Sequence, residues 1–251
     1  MLHYDEYGDV THPTILLLHG AMAVDTFSQQ YDLLKSDYHV VVPHLYGAGV
    51  SVEKDYDPFT LEAELLEIIH FINKPKIIVI GHSIGAQLAV LLVAKYPNLF
   101  EKAVFLSPWV IPNERSTQLY TSMAPLTVWM LRQGWIVRMQ GTYWGYTKEQ
   151  RHFMASYSKK LSVSNYKAFF EKTIDLNDIP QFFRVEIPML AVSGSRESKD
   201  IKQSVTKLGE NPYCQTLLLN KAGHDFPMRK ANRLNPIIKQ FLNDEFINLQ
   251  G

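Results

Sequence analysis

Ser83 stands at the centre of Gly81-His82-Ser83-Ile84-Gly85, a G-x-S-x-G string. A hydroxyl is a poor nucleophile until a base takes its proton, so the serine needs a partner elsewhere in the chain. The string follows the apolar run KIIVI (residues 76–80) directly and precedes a stretch, residues 84–96, that is apolar nearly all round. Strand, sharp turn and buried helix in that order would hold the serine oxygen above a sheet and over a helix N-terminus, where unpaired N–H groups and the positive dipole end favour an oxyanion. The glycines fit a turn whose backbone segments approach too closely for a Cβ.

Of the nine histidines, His224 in Lys221-Ala222-Gly223-His224-Asp225-Phe226-Pro227 is the best base. It follows the last strand-like run, QTLLL, and should emerge at the same carboxyl-end rim as Ser83. His12 and His39 read as exposed, His70 lies on a helix face and His152 is expected at the surface. His19 and His82 flank glycines in two turns and are expected to hold loops by hydrogen bonds. The base in turn needs an acid to fix its tautomer and stabilise imidazolium. Glu197 leaves the run IPMLAV in the loop Ser193-Gly194-Ser195-Arg196-Glu197-Ser198-Lys199-Asp200 and is the first choice. Asp200 is the runner-up, and Asp225 is too near His224 in sequence to orient it easily. His19-Gly20-Ala21-Met22 follows the run TILLL. The Ala21 N–H there would join that of Ile84 in an oxyanion hole, or the Met22 N–H would do so if the turn is one residue longer. No histidine pair has a zinc-like spacing with cysteine or carboxylate partners, so no metal is expected, and acyl transfer needs no external cofactor.

Six short apolar runs without polar alternation, at Thr14–Leu18 and residues 38–42, 76–80, 102–106, 187–192 and 215–219, must position these groups. Most of them read as parallel strands covered on both faces. Helical patterns at residues 60–72, 84–96 and about 236–246 lie between or after them, which implies an α/β fold, a mostly parallel sheet flanked by helices with right-handed crossovers. The rhythm breaks at residues 109–185, a helical, aromatic stretch that holds all four tryptophans. The predicted organisation is a core of residues 1–108 and 186–251 with this stretch as an inserted helical cap. Met123, Trp129, Met130, Trp135 and Met139 in it would either wall an apolar pocket above Ser83 or pack the insertion onto the core.

Taken together the motifs resemble the α/β-hydrolase superfamily over essentially the whole chain. The chain order Ser83, Glu197, His224 matches that family's nucleophile, acid and base. Pro43-His44-Leu45-Tyr46-Gly47-Ala48-Gly49-Val50-Ser51 is similar to its P-D-x-x-G-x-G-x-S loop, with His44 where aspartate is common. Two departures are a glutamate where aspartate predominates as the acid, and a start so close to the first core strand that an early edge hairpin is expected to be reduced. The resemblance implies a capped serine esterase acting on a small carboxylic ester through an acyl-enzyme. Relatives with the same triad cleave C–C bonds, lactones, thioesters or lipids, carry out menaquinone-type eliminations, or serve as small-ligand signalling receptors. Serine at the nucleophile position disfavours a haloalkane dehalogenase.

Composition bounds the partners. The 25 basic and 25 acidic side chains cancel, which argues against a nucleic-acid binder or a polybasic membrane anchor. The balance is uneven, however: residues 109–184 carry 10 basic and 5 acidic side chains, and the remainder is correspondingly acidic. Complementary docking of insertion on core is the favoured reading, and attraction of an anionic substrate or partner the alternative. The lone Cys214 reads as a small buried hydrophobe. The N-terminus lacks signal-peptide features and no apolar run approaches the length of a membrane span, so a soluble, cytoplasmic protein is expected, with a small-molecule substrate. Oligomeric state is not legible.

Overall fold

The computed structural model describes residues 1–245. A seven-stranded sheet runs in the order β1-β3-β2-β4-β5-β6-β7. Its strands are β1 (Tyr4–Tyr7), β2 (Thr14–Leu18), β3 (His39–Pro43), β4 (Ile77–His82), β5 (Phe100–Leu106), β6 (Met189–Gly194) and β7 (Cys214–Leu219). All neighbours are parallel except β1, which pairs antiparallel with β3. Strand β1 is a four-residue edge strand. The six apolar runs are all strands, with ends displaced by one or two residues.

The missing polar alternation has a direct cause. Ile15 and Leu17 pack into one apolar cluster and Leu16 and Leu18 into another, one on each face of the sheet. The helices that cover those faces are α1 (Ser28–Leu34), α2 (Pro58–Ile72), α3 (Ile84–Lys95), α8 (Lys199–Leu208), α9 (Phe226–Arg229) and α10 (Ala231–Leu242). Helix α3 is buried from Ile84 to Ala94, so its sequence has no polar stripe. Helix α10 departs from the expected 236–246: it begins five residues earlier and keeps Pro236 inside. Its buried residues Leu234, Ile238, Phe241 and Leu242 form one stripe, and burying that stripe outweighs the hydrogen bond proline removes. Phe246, the expected end, lies outside the described residues.

Between β5 and β6 the chain forms α4 (Glu114–Leu131), α5 (Gly134–Tyr143), α6 (Lys148–Ser158) and α7 (Val163–Glu171), with no strand. This excursion is tied to the sheet domain by polar contacts. The buried Asn165 amide accepts from the Tyr56 N–H (2.8 Å) and donates to the Val52 and Lys54 carbonyls (3.2 and 2.9 Å). The Tyr157 hydroxyl donates to the Met22 carbonyl at 2.7 Å. Lys160 and Lys172 pair with Glu53 and Asp57 across the junction, consistent with basic-on-acidic docking.

Candidate active site

Ser83 caps the N-terminus of α3 with φ 55° and ψ −118°, a conformation L-residues adopt at a cost. Its neighbours make that turn possible. A Cβ on Gly81 would lie 2.3 Å from the Gly85 carbonyl oxygen, and one on Gly85 would lie 2.0 Å from that of Leu18. Both obstacles are backbone, so neither can step aside. The turn is further held by the Ser83 N–H, which donates to the Leu106 carbonyl on β5 at 2.9 Å.

Glu197 and His224 come to Ser83 from the ends of β6 and β7. The fully buried Glu197 carboxylate accepts from His224 Nδ1 at 2.7 Å through one oxygen and from the Gly194 N–H at 2.6 Å through the other. A carboxylate on Nδ1 fixes the proton there. His224 Nε2 therefore presents a lone pair to Ser83 Oγ, 3.0 Å away. Asp200 is not part of this line. It sits in the first turn of α8, where its carboxylate accepts from the Ser116 hydroxyl and ties α8 to α4. Asp225 lines the same cavity beside His224 without reaching its ring nitrogens.

His19 and His82 hold loops, as expected. His82 is buried, and its Nε2–H donates to the His224 carbonyl at 2.9 Å. Burial, then the neighbouring His224, pushes its pKa well below the usual histidine range, so the ring is neutral. His19 Nδ1–H donates to the Gly20 carbonyl (2.7 Å) while Nε2 accepts from the Leu45 N–H (3.0 Å). Burial pushes its pKa down to about 3. The Gly20 turn is closed by Thr26, which accepts from the Gly20 N–H (3.2 Å) and donates to the Ala23 carbonyl (2.6 Å). Ala21 and Met22 form its tip, and both line the cavity together with Ile84, the first residue of α3.

His39 corrects the sequence reading. It is buried, with Nε2 2.9 Å from Glu6 and Nδ1 3.2 Å from the Thr14 hydroxyl, because β1 folds back over β3 and covers it. His12 is half-buried rather than exposed. The same strand pairing brings donor atoms of His3, Asp5 and His44 within 4.8 Å of one another. The Val50 N–H donates to His44 Nδ1 (3.3 Å), so a neutral His44 carries its proton on Nε2 and gives it to Asp5 at 3.0 Å. That trio reads as a hydrogen-bonded brace between β1 and the loop after β3.

Above Ser83 lies a cavity of about 720 Å³, roofed by the excursion. Trp109, Tyr120, Tyr166 and Phe170 make an aromatic wall, with Tyr120 stacked on Phe170 at 4.8 Å. Met123, Trp129, Trp135 and Met139 neither line it nor pack the excursion down, and all four are exposed. Helix phase decides this: Tyr120, Thr127 and Leu131 of α4 and Gln140 of α5 line the cavity instead, with the exposed Tyr143 at its edge. Gln87 also lines the cavity and was not singled out from the sequence. The available signal was its being the one polar side chain between Ile84 and Ala94.

A family model described as the alpha/beta hydrolase fold matches residues 13–231. A putative carbamate hydrolase, RutD, of Stutzerimonas stutzeri is 22% identical over 97% of this chain and 97% of its own length. Among solved structures, MenH from S. aureus superposes with TM-score 0.74 at 18% identity, covering 97% of this chain and 99% of that one. A carboxylesterase structure from the ammonia-oxidizing thaumarchaeon Nitrososphaera gargenis gives TM-score 0.75 at 17% identity, covering 96% and 94%.

Proposed function

The chain belongs to the α/β-hydrolase family, and from that premise we propose that it hydrolyses small carboxylic esters through Ser83, His224 and Glu197. The observation that carries the reading is the continuous relay of Glu197, His224 and Ser83, at 2.7 and 3.0 Å, with the serine at the floor of the cavity. His224 Nε2 takes the Ser83 proton as the oxygen attacks the ester carbonyl, and Glu197 stabilises the imidazolium. The oxyanion is received by the Ile84 N–H, free at the first position of α3, and by the N–H of Ala21, with Met22 the alternative at the same tip. His224 then gives its proton to the departing alkoxide and activates the water that releases the acid. Protein groups and water suffice for every step.

In this scheme residues 109–185 act as a cap on a core of residues 1–108 and 186–251, excluding water and choosing the substrate. The aromatic wall suits an apolar group on one side of the ester. The relative named a carbamate hydrolase would use the same carbonyl attack with a nitrogen on the acyl carbon, so carbamates belong in any substrate panel. The test is Ser83→Ala on p-nitrophenyl esters of increasing acyl length and matching carbamates. Turnover should fall by about 10⁶ in kcat, to background, with the fold intact. Retained turnover would remove Ser83 as the nucleophile.

A further inference from the structure

We propose that Gln87 is the polar anchor of the cavity and that its partner is a second, neutral carbonyl oxygen on the substrate. The inference rests on the ester-hydrolase reading and narrows its substrate class. Gln87 lies one turn beyond Ser83 on α3, its backbone N–H donating to the Ser83 carbonyl at 3.1 Å. The residue is only 2% exposed. Its Oε1 accepts from the Ile174 N–H at 3.2 Å, which fixes the amide plane and turns Nε2 away from Ile174. Among the described residues Nε2 has no hydrogen-bond partner, and the side chain lines the cavity. Nε2 keeps accessible surface in the cavity, so its N–H is offered there to an acceptor on the substrate in exchange for water.

The acceptor is neutral because the surroundings provide no counter-charge. The only lysine or arginine lining the cavity among the described residues is Arg196, which is exposed at the rim. A carboxylate beside Gln87 would be desolvated against aromatic rings without a cation, whereas a ketone or amide oxygen needs only the N–H it is offered. The substrate class is an oxo-substituted ester, with the extra carbonyl a few bonds along the chain.

The experiment compares ethyl hexanoate with its 3-oxo, 4-oxo and 5-oxo analogues by pH-stat, in wild type, Gln87→Leu and Gln87→Glu. At least one oxo position should be preferred by roughly tenfold in kcat/KM in wild type, the worth of one buried hydrogen bond. The preference, read within each enzyme as the ratio of kcat/KM for the oxo ester to that for ethyl hexanoate, should vanish in Gln87→Leu and also in Gln87→Glu, which keeps an acceptor for the Ile174 N–H but removes the donor. Taking the ratio between enzymes cancels the intrinsic reactivity of each ester. An equal preference in wild type and Gln87→Leu, or none in wild type, overturns the anchor. Absence of turnover on every ester, p-nitrophenyl acetate included, instead overturns the hydrolase reading on which it rests.

A different observation carries a second inference: we infer that the turn joining α4 and α5 docks on an anionic lipid surface. Trp129 and Trp135 flank that turn at 60% and 63% exposure, and Met139 continues the outward face of α5. Along α4 the exposed Leu119, Met123 and Leu126 recur at helical spacing and extend the apolar stripe. Residues 115–148 contain Arg115, Arg132, Arg138 and Lys148 and not one aspartate or glutamate. Arg138 and Lys159 sit beside Gly134 at the start of α5, placing positive charge next to the tryptophans. Tryptophan and basic side chains around an apolar tip are complementary to anionic headgroups over acyl chains. A second copy of this face is a poor match, since a twofold contact would set arginine against arginine with no carboxylate between.

Co-sedimentation with vesicles of phosphatidylcholine alone and of phosphatidylcholine with 30 mol% phosphatidylglycerol, a composition chosen for roughly physiological anionic charge, tests this. Wild type should bind the anionic vesicles, with a blue shift in tryptophan emission, and release in high salt. The variant Trp129→Ser, Trp135→Ser, Met139→Ser should lose that binding while keeping wild-type turnover of a water-soluble ester, since none of the three lines the cavity. Absence of vesicle binding, binding unchanged in the variant, or a wild-type dimer abolished by the same substitutions overturns the inference.

Discussion

Two parts of this molecule use apolar residues in opposite ways. Around Ser83 the side chains of β2, β4 and α3 are buried on every side, and the backbone is forced into a positive φ that only two flanking glycines permit. On α4 large apolar side chains such as Met123 and Trp129 point outward while Tyr120 and Leu131, two or three residues away, line the cavity, and on α5 Trp135 and Met139 point outward as well. In the central strands, covered on both faces, every apolar side chain is inside, whereas Leu218 on the edge strand β7 is exposed. A single layer of helices has one inner face, and helix phase alone decides which residues occupy it.

That contrast can be broken most severely at Gly85. Gly85→Ala places a methyl against the Leu18 and His19 carbonyls, at 2.0 and 2.6 Å. Loss of soluble folded protein, or destabilisation above about 4 kcal/mol in urea titration, is expected. Next comes Glu197, the proposed acid. Glu197→Gln should lower kcat by about 10⁴, as expected when the tautomer of the base is no longer enforced. Asp200→Asn, whose carboxylate serves Ser116 instead, should leave kcat near wild type. Reversed outcomes in steady-state kinetics would move the acid to α8.

The junction between the two parts supplies a pH test. Asp25, on the turn before α1, accepts from the Gln150 amide of α6 at 3.1 Å, and burial pushes its pKa up from 3.8 to about 6. Because the folded value is the higher one, the group favours the folded state when protonated. Stability is lost as pH rises from about 4 to 6, and the loss is then constant. Asp25→Asn should therefore leave urea midpoints unchanged at pH 4 and raise stability by up to about 3 kcal/mol at pH 8. An equal gain at both pH values would remove the carboxylate as its cause. The smallest effect is on α5 itself. Trp135→Ser should alter stability by no more than about 0.5 kcal/mol, against about 2 kcal/mol for Val137→Ala two residues away, which is fully buried.

His19 and His82 extend the comparison to acid. Both are buried and neutral, with folded pKa values below the ordinary 6.5. Their contribution is present above that value and fades as pH falls below it. Unfolding should then take up protons, which a stability–pH slope between pH 5 and 6.5 would measure.

The residues Ser83, Glu197 and His224 were legible because each follows a strand whose apolar run is short, uninterrupted and bounded by a turn. Three strand ends on one rim of a parallel sheet bring their loops together whatever lies between them in sequence. His39 was misread since its cover comes from β1, a four-residue strand whose antiparallel pairing leaves no local signature. Pro236 misled in the other direction, as a local rule about helix starts gave way to burial of a stripe from Leu234 to Leu242. Gln87 escaped notice for a related reason. A polar residue in an apolar helix says that something unusual faces it, and only the Ile174 N–H and the cavity show what.

The sequence by itself determined the strand–turn–helix around Ser83, the order of the candidate groups and the parallel sheet. Each rests on interactions within about ten residues or on a periodicity that burial enforces everywhere alike. Only the tertiary structure decided that Glu197 rather than Asp200 meets His224, that Gln87 holds the Ile174 N–H and lines the cavity, and that Trp129 and Trp135 face outward. Those outcomes depend on distances of 3 Å and helix rotations of a fraction of a turn between elements far apart in the chain. No local pattern encodes either.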